Sequence, residues 1–236
     1  LRLINGSASS NCTVDLGPVA GELLTVDGEP VEPVRGSRFP IAVAQRIDVL
    51  LTMPRTGAVP VFAHIEGSTL RAAIVLATKG AAVKKVARAA PAKGPRVTLD
   101  LEKRLRAKSP LTARPADRRV TVDLTGTMQG YVWNMGVDGL PGLPVSARKG
   151  DRVEVEMRNF TPMAHPMHLH GHVFQVVAID GKRFGGAMRD SVLVPPKSRV
   201  TFAFDATNPG MWAFHCHNLY HLAAGMFSTM VYRDIS

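Results

Sequence analysis

The sequence lacks both a membrane-spanning apolar run and the cysteines of a disulfide-rich protein. No apolar run reaches the roughly 18 residues of a membrane-spanning helix, and the longest approach, AAIVLAT at 72–78, has strand length. The chain has only two cysteines, Cys12 and Cys216, too few for a disulfide framework. We therefore expect no membrane span and a fold that depends on buried cores, with Cys12 as a small buried hydrophobe.

Features of a nucleic-acid-binding protein are also missing, although the 236-residue chain has a formal charge of +10. Between Lys79 and Arg119 there are 13 Lys or Arg against three acidic residues, so this segment carries the whole excess. It contains no Phe, Trp or Tyr to stack on bases and no groove-reading motif. We expect no nucleic-acid partner and interpret the segment as a solvated basic connector.

What the sequence does contain is a series of short runs that alternate apolar and polar residues. The clearest are RVTLDL, RVTVDL, RVEVEM, HVFQVVAI and RVTFAF, at 96–101, 119–124, 152–157, 172–179 and 199–204. Such runs predict strands, and their regular spacing favours antiparallel sandwiches or barrels. We predict an all-β fold, in which only the Ala- and Lys-rich segment 80–93 has a composition that could carry helical turns.

The chain divides at the basic connector. Residues 1–78 form one strand-rich block, 79–117 form the connector, and 118–236 form a second block. The second block holds seven of the eight histidines, in HPMHLHGH at 165–172 and HCHNLYH at 215–221. The eighth, His64, is interpreted as a strand histidine without a ligand role.

The later histidine-rich stretch predicts two metal sites on one piece of chain. Neighbouring side chains of an extended strand point to opposite faces, so His215 and His217 face one way and Cys216 the other. After the strand, His221 can return beside Cys216, with Met226 in the same loop. One further imidazole would complete two imidazoles, a thiolate and a weak thioether, which are the donors of a blue-copper centre.

The earlier stretch supplies the other ligands. Pro166 fixes an extended approach, and His168 and His170 share one strand face because they are two residues apart. We assign these two to the cluster formed with the outer histidines of His-Cys-His. His165 is out of phase with them and is assigned to the cysteine centre. His172 lies one step farther along, which favours a supporting or packing role.

The same residues could serve in sites other than a copper centre. A zinc site would leave His-Cys-His unexplained, and a Cys-His nucleophile pair would need an orienting group and an oxyanion site that no motif announces. Met226 could be a core residue, although its place after Ala-Ala-Gly favours axial ligation. Asp190 and Asp205 could accept hydrogen bonds from ligands or occupy turn and strand-edge positions. The triplets NGS, NCT and NFT match the glycosylation pattern, which means little without a secretory eukaryotic context.

At this point the residues carry a family resemblance. HPMHLHGH, DSVLVPP and NPGMWAFHCHNLYHLAAGM resemble the C-terminal cupredoxin domain of multicopper oxidases, the family of laccases and bacterial copper-resistance oxidases. The stretches LRLING, VDGEPVEPV and VAQRIDVLL resemble, more loosely, part of the middle cupredoxin domain of the copper-resistance branch. The resemblance implies cupredoxin-like Greek-key β-sandwich or barrel domains, the first of them truncated.

The resemblance also implies the copper ligands and the chemistry. Type 1 copper would be held by His165, Cys216, His221 and Met226, type 2 copper by His168, and the type 3 pair by His170, His215 and His217. In the family, electrons enter singly from a reducing substrate at the type 1 site. They then pass through the cysteine and its flanking histidines to three clustered coppers, where dioxygen becomes water.

One departure from the family pattern limits this expectation. The family's cluster needs eight histidines, half of them from two His-x-His motifs in an N-terminal cupredoxin domain, and no such pair precedes His165. A symmetric oligomer cannot repair the loss, since every copy lacks the same ligands. We therefore expect part of a larger oxidase, inactive alone in oxygen reduction, with dioxygen and phenols or cuprous ion as substrates. The alternative is a stand-alone electron-transfer or copper-binding cupredoxin.

Bacterial relatives imply a periplasmic or secreted location.

Overall fold

The computed structural model describes residues 1–233, and nearly all of its regular structure is β. Residues 1–78 contain eight strands: β1 Arg2–Ile4, β2 Cys12–Asp15, β3 Gly21–Val26, β4 Glu29–Gly36, β5 Arg38–Ile41, β6 Arg46–Leu51, β7 Ala58–Ile65 and β8 Arg71–Ala77. They form two four-stranded sheets, ordered β1-β6-β3-β4 and β5-β2-β7-β8. Apolar side chains of both sheets, among them Leu23 and Phe39, share one core.

Residues 118–233 form a second sandwich. Its strands are β9 Arg118–Thr127, β10 Val132–Val137, β11 Leu140–Pro141, β12 Val145–Ala147, β13 Arg152–Asn159, β14 His165–Leu169, β15 Phe174–Ile179, β16 Lys182–Arg183, β17 Met188–Arg189, β18 Ser191–Val194, β19 Arg199–Asp205, β20 Met211–Cys216 and β21 Phe227–Tyr232. One sheet runs β11-β10-β9-β13-β19-β15-β16, with β17 also paired to β15, and the other runs β12-β21-β20-β14-β18. The all-β prediction is confirmed.

The two histidine-rich stretches lie side by side in the second sheet. Strands β14 and β20 pair antiparallel, so that Met167 faces Cys216 and His168 faces His215 across the ladder. Pairing is antiparallel throughout the described strands except between β9 and β13 and between β12 and β21. Each of these parallel pairs is joined by a long excursion of chain, which is what parallel neighbours require. The sheets are therefore antiparallel, as expected, apart from these two pairs.

One local prediction is wrong, and one possibility that the composition allowed is not realised. RVTLDL at 96–101 forms no strand, and its alternation instead places Val97 in a small apolar cluster with Ala42 and Leu193, between the two sandwiches. The segment 80–93 forms no helix, because its backbone bonds to the chain around the start of β8, where the Arg71 N–H donates to the Arg88 carbonyl at 2.9 Å. The helical segments of residues 1–233 are a 3-10 turn, Glu102–Arg104, and α1, Leu219–Ala223.

The connector is also less solvated than expected in its later part, where it packs between the sandwiches. Leu105 and Glu102 are buried, and the Glu102 carboxylate accepts a hydrogen bond from the Arg189 guanidinium. Arg189 also donates from Nε to Asp27 Oδ2 at 3.1 Å. A buried ion network therefore joins the first block, the connector and the second block directly beside Asp190.

Candidate metal centre

Three side chains converge inside the second sandwich. The Nδ1 atoms of His165 and His221 lie 3.0 Å apart, and the Cys216 Sγ lies 3.8 and 3.7 Å from them. All three residues are at most 1% exposed, and so is Met226, which belongs to the same apolar cluster as Cys216. We call these four residues the closed site.

Helix α1 and the turn that follows it bring His221 and Met226 back beside Cys216. Asn218 caps α1, its side chain accepting from the Tyr220 N–H at 3.2 Å. The Met226 N–H donates to the His221 carbonyl at 2.9 Å, and the Cys216 N–H donates to the Met226 carbonyl at 3.1 Å. The intervening turn is left-handed, and glycine suits it at position 225.

Burial sets the protonation of the closed site. It lowers the pKa of His165 to about 3 and that of His221 to about 4, and it raises the pKa of the Cys216 thiol to about 12. The imidazoles are therefore neutral at pH 7, and the thiol keeps its proton until a cation displaces it. Trp133 covers this site, with its ring centroid 4.1 Å from that of His221.

Four further histidines gather on the other side of β14 and β20. The Nε2 atoms of His170 and His215 lie 3.0 Å apart, and the ring centroid of His168 lies 5.7 Å from those of His215 and His217. His170 is exposed, whereas His168 and His217 are half-buried. We call this group the open cluster.

Hydrogen bonds fix which ring nitrogens of the open cluster remain available. The His168 Nδ1–H donates to the Asp190 carbonyl at 2.7 Å, and the His215 Nδ1–H donates to the Cys216 carbonyl at 3.0 Å, because a carbonyl can only accept. In the neutral form of either ring, Nε2 is then the nitrogen that carries the lone pair. The buried Nδ1 of His217 has no hydrogen-bond partner in residues 1–233, a state that suits a group awaiting a ligand.

The remaining candidates lie outside both groups. The His172 Nδ1–H donates to the His170 carbonyl at 3.1 Å, and its Nε2 accepts from the Tyr232 hydroxyl at 2.7 Å. His64 lies on β7, and its Nε2 is 4.0 Å from Asp15 Oδ2. Of the two aspartates, Asp190 accepts the His168 Nδ1–H through its backbone carbonyl, and Asp205 pairs with Arg152 and Arg114 at the end of β19. Cys12 is half-buried, and burial raises the pKa of its thiol to about 11.

Three residues around these sites carried no sequence signal that we used. Trp133 packs against both imidazoles of the closed site. Arg46, from the first block, donates to both carboxylate oxygens of Asp190 at 2.7 Å. Thr161 places its hydroxyl 2.6 Å from His165 Nε2. The triplet NFT contains Thr161, but its pattern points to glycosylation rather than to ligand support.

Comparison with known proteins gives the family. Models of multicopper oxidase domains match residues 1–86 and 113–236. The multicopper oxidase MmcO of Mycobacterium tuberculosis is 35% identical over 239 residues, which cover 98% of this chain and 46% of that protein. A copper resistance protein A homolog of Pseudomonas syringae pv. tomato is 35% identical over 115 residues, covering 48% of this chain and 19% of its own. The chain belongs to the multicopper oxidase family, as its motifs predict.

Solved structures agree on the fold. A laccase from Botrytis aclada superposes with a TM-score of 0.78 at 19% identity, over 98% of this chain and 51% of its own. A multicopper oxidase from Pseudomonas thermotolerans gives 0.70 at 24% identity, over 98% and 54%. The fold is therefore cupredoxin-like, and the chain spans about half the length of these proteins.

Copper is the metal that the family implies, and the closed site fits it. A thiolate, two neutral imidazoles and a nearby thioether form a soft donor set, which suits copper better than magnesium or calcium. All four side chains are buried and carry no charge before a metal binds. A cation entering this site would find no competing charge and would need to displace only the thiol proton.

Proposed function

We propose that the chain is the electron-entry half of a larger copper-dependent oxidase that oxidises a small reducing substrate and reduces dioxygen to water. The observation that carries this proposal is the position of Cys216 between His215 and His217, one residue facing the closed site and two facing the open cluster. Copper would supply one-electron oxidation and reduction at the closed site and dioxygen reduction at the cluster.

The closed site would hold the type 1 copper through His165, Cys216, His221 and Met226. Convergence of the three ligand atoms within 4.8 Å and the burial of all four residues support this assignment. The protein's own contribution is to exclude water and to keep the imidazoles neutral. The thiol proton must leave when the metal binds.

The open cluster would hold the type 2 copper at His168 and share the type 3 pair through His170, His215 and His217. Its exposed face supports a cluster completed by another domain, since these four histidines make up half of the eight ligands expected. We propose that an N-terminal cupredoxin domain with two His-x-His pairs covers this face. No histidine pair of that spacing lies among residues 1–164.

Chain connectivity would link the two sites. The Cys216 backbone leads directly into both flanking histidines, and the His215 Nδ1–H also bonds to the Cys216 carbonyl. These contacts keep the thiol and the cluster imidazoles at a fixed separation. Such a fixed, short path through bonds suits transfer of single electrons between the sites.

A cavity of about 500 Å³ beside Met163 and Ala164 supports a small substrate, because these residues lead directly into His165. It lies between the two sandwiches and the connector. Its lining includes three carboxylates from separate segments, Glu66, Asp100 and Asp180. Phenols and cuprous ion both remain substrates of this proposal.

We propose a periplasmic or secreted location in a bacterium, supported by similarity to a bacterial copper resistance protein A homolog. Within residues 1–233, no helix is both long and apolar enough to cross a membrane.

Oxygen uptake tests the proposal. The copper-loaded chain should be reduced by a phenolic reductant without sustained oxygen consumption, and joining it to an upstream domain with two His-x-His pairs should start consumption. Sustained uptake by the chain alone would contradict the division of the cluster. The second candidate, a stand-alone electron carrier, is favoured by the convergence of His165, Cys216 and His221 within this chain. The absence of His-x-His pairs from the upstream coding sequence would select it.

A further inference from the structure

In the triplet Asn159-Phe160-Thr161, which matches a glycosylation pattern, the first and third residues are buried behind His165, whereas Phe160 is exposed. Asn159 is 3% exposed and Thr161 is 2% exposed. We infer that Asn159 and Thr161 are positioning residues that hold the His165 ring with its proton on Nε2 and its Nδ1 lone pair facing Cys216. This inference rests on the copper site proposed above, and it adds a function for residues that are not ligands.

The Thr161 hydroxyl is the partner of the outer nitrogen of His165. Its Oγ1 lies 2.6 Å from Nε2, while the Nδ1 of the same ring lies 3.8 Å from the Cys216 Sγ. One nitrogen therefore faces a fixed protein group and the other faces the closed site. A ring held in this way cannot turn about its long axis without losing the Thr161 contact.

Proton accounting selects the tautomer. The Thr161 Oγ1 also lies 2.9 Å from Asn159 Oδ1 and 3.1 Å from the Met163 carbonyl, and both of these atoms can only accept. If the single hydroxyl proton went to His165, two short oxygen-oxygen contacts would have no proton between them. If Nε2–H donates to Thr161, the hydroxyl proton is left for one of the two oxygens, and only one oxygen-oxygen contact has no proton between its atoms. The lone pair is then on Nδ1.

Asn159 fixes the position of this hydroxyl. Its Oδ1 accepts from the Thr161 N–H at 2.8 Å, and its Nδ2 donates to the carbonyls of Met163, Val194 and Pro195 at 2.7, 2.9 and 3.0 Å. Val194 lies directly opposite His165 in the β14–β18 ladder. The amide therefore ties the loop before His165 to the strand beside it. With all of its polar atoms engaged in the interior, this amide is not presented for glycosylation in the folded protein.

Hydrogen bonds to the outer nitrogen of a ligand histidine affect how tightly the site binds its metal. These bonds set the tautomer and orientation of the ring, and their loss typically costs about 10- to 100-fold in metal affinity. The Thr161→Val variant keeps the shape of the side chain and removes the acceptor. Thr161→Ser keeps the hydroxyl, and Thr201→Val, at a buried threonine of β19, is the control for replacing a threonine in this sandwich.

The first experiment needs no metal. Nitrogen NMR of the metal-free chain at pH 7 should show His165 protonated on Nε2, and Thr161→Ser should show the same tautomer. A wild-type spectrum with the His165 proton on Nδ1 would overturn the inference, whether or not the variants fold.

The second experiment uses Cu(II). Thr161→Val should bind copper at the closed site about 10- to 100-fold more weakly, with a shifted type 1 reduction potential, whereas Thr161→Ser and Thr201→Val should resemble wild type. Unchanged affinity and potential in Thr161→Val would overturn the inference while leaving the copper site intact. A wild-type chain that develops no blue colour with Cu(II) would instead contradict the copper site itself, and the inference with it.

Discussion

The closed site and the open cluster begin at adjacent residues but differ in how far they are buried and in which parts of the chain support them. Cys216 and its partners are at most 1% exposed, whereas His170 on the other side is exposed and two of its neighbours are half-buried. In the closed site every candidate ligand comes from residues 165–226. One sandwich is therefore enough to build it.

The open cluster depends on more of the chain. His168 bonds to the Asp190 carbonyl, and the Asp190 carboxylate is held by Arg46 from the first block. Asp27 accepts from Ser191 and Arg189 on either side of Asp190. The comparison shows that the closed site converges within one sandwich, while the open cluster also takes hydrogen-bond support from the first block.

Removing the thiol should produce the largest effect and separate the two sites. Cys216→Ser should abolish the blue thiolate-to-copper band completely, because a serine hydroxyl supplies no thiolate. His170→Ala is the matched variant in the open cluster and should leave the band unchanged. Absorption spectra of both copper-loaded variants test this, and a blue Cys216→Ser protein would overturn the assignment of the closed site.

Much of this site follows from local rules that the sequence displays. Opposite orientation of neighbours on an extended strand predicts that Cys216 and its flanking histidines face different groups, and β20 has that arrangement. The phase difference between His165 and the pair His168 and His170 rests on the same rule. Strand runs such as RVTVDL and RVEVEM were also predicted correctly, because alternation and burial coincide inside a sheet.

The features that were predicted wrongly or missed depend on contacts between segments that are distant in sequence. RVTLDL alternates like a strand, but it lies between two sandwiches without a strand partner, and no local rule distinguishes these cases. The support of His168 by Arg46 joins residues that are far apart in sequence. Thr161 and Trp133 were missed for the same reason, since only the fold brings them against the imidazoles. The block boundaries and the ligand roles themselves remain predictions.

Breaking the buried ion network should cost the most stability and show how far the blocks are coupled. Arg189→Met leaves Glu102 buried without its cation and Asp27 with Arg46 as its remaining one, which should lower the free energy of unfolding by about 3–5 kcal/mol. Arg183→Met removes an exposed pair with Glu154 and should cost less than about 1 kcal/mol. Urea unfolding of both variants gives the comparison. Equal losses would mean that the network does not couple the blocks.

The pH dependence of copper binding should report the burial of the closed site. Between pH 7 and pH 5 the imidazoles of His165 and His221 stay neutral, since their pKa values are about 3 and 4, so only the Cys216 thiol must release a proton when copper binds. Lower pH opposes that release, and the apparent affinity should fall about tenfold per pH unit. Copper titrations followed by the blue band measure the slope. A slope of two or three protons would show that the imidazoles are not shielded as the structure indicates.

A more local effect is expected where packing closes the site. Gly225 has φ +112°, and a Cβ there would lie 2.5 Å from the Trp133 carbonyl oxygen, whereas Gly57 has φ +113° with open space around it. Ala at either position should cost about 1 kcal/mol in backbone strain, but at Gly225 the clash should add about 1–3 kcal/mol. Unfolding measurements on the two variants isolate the clash because the strain is matched. Since Gly225 precedes Met226, its variant should also alter the blue copper spectrum, whereas Gly57→Ala should not. Equal costs and equal spectra would mean that the loop can move away from Trp133 without disturbing the closed site.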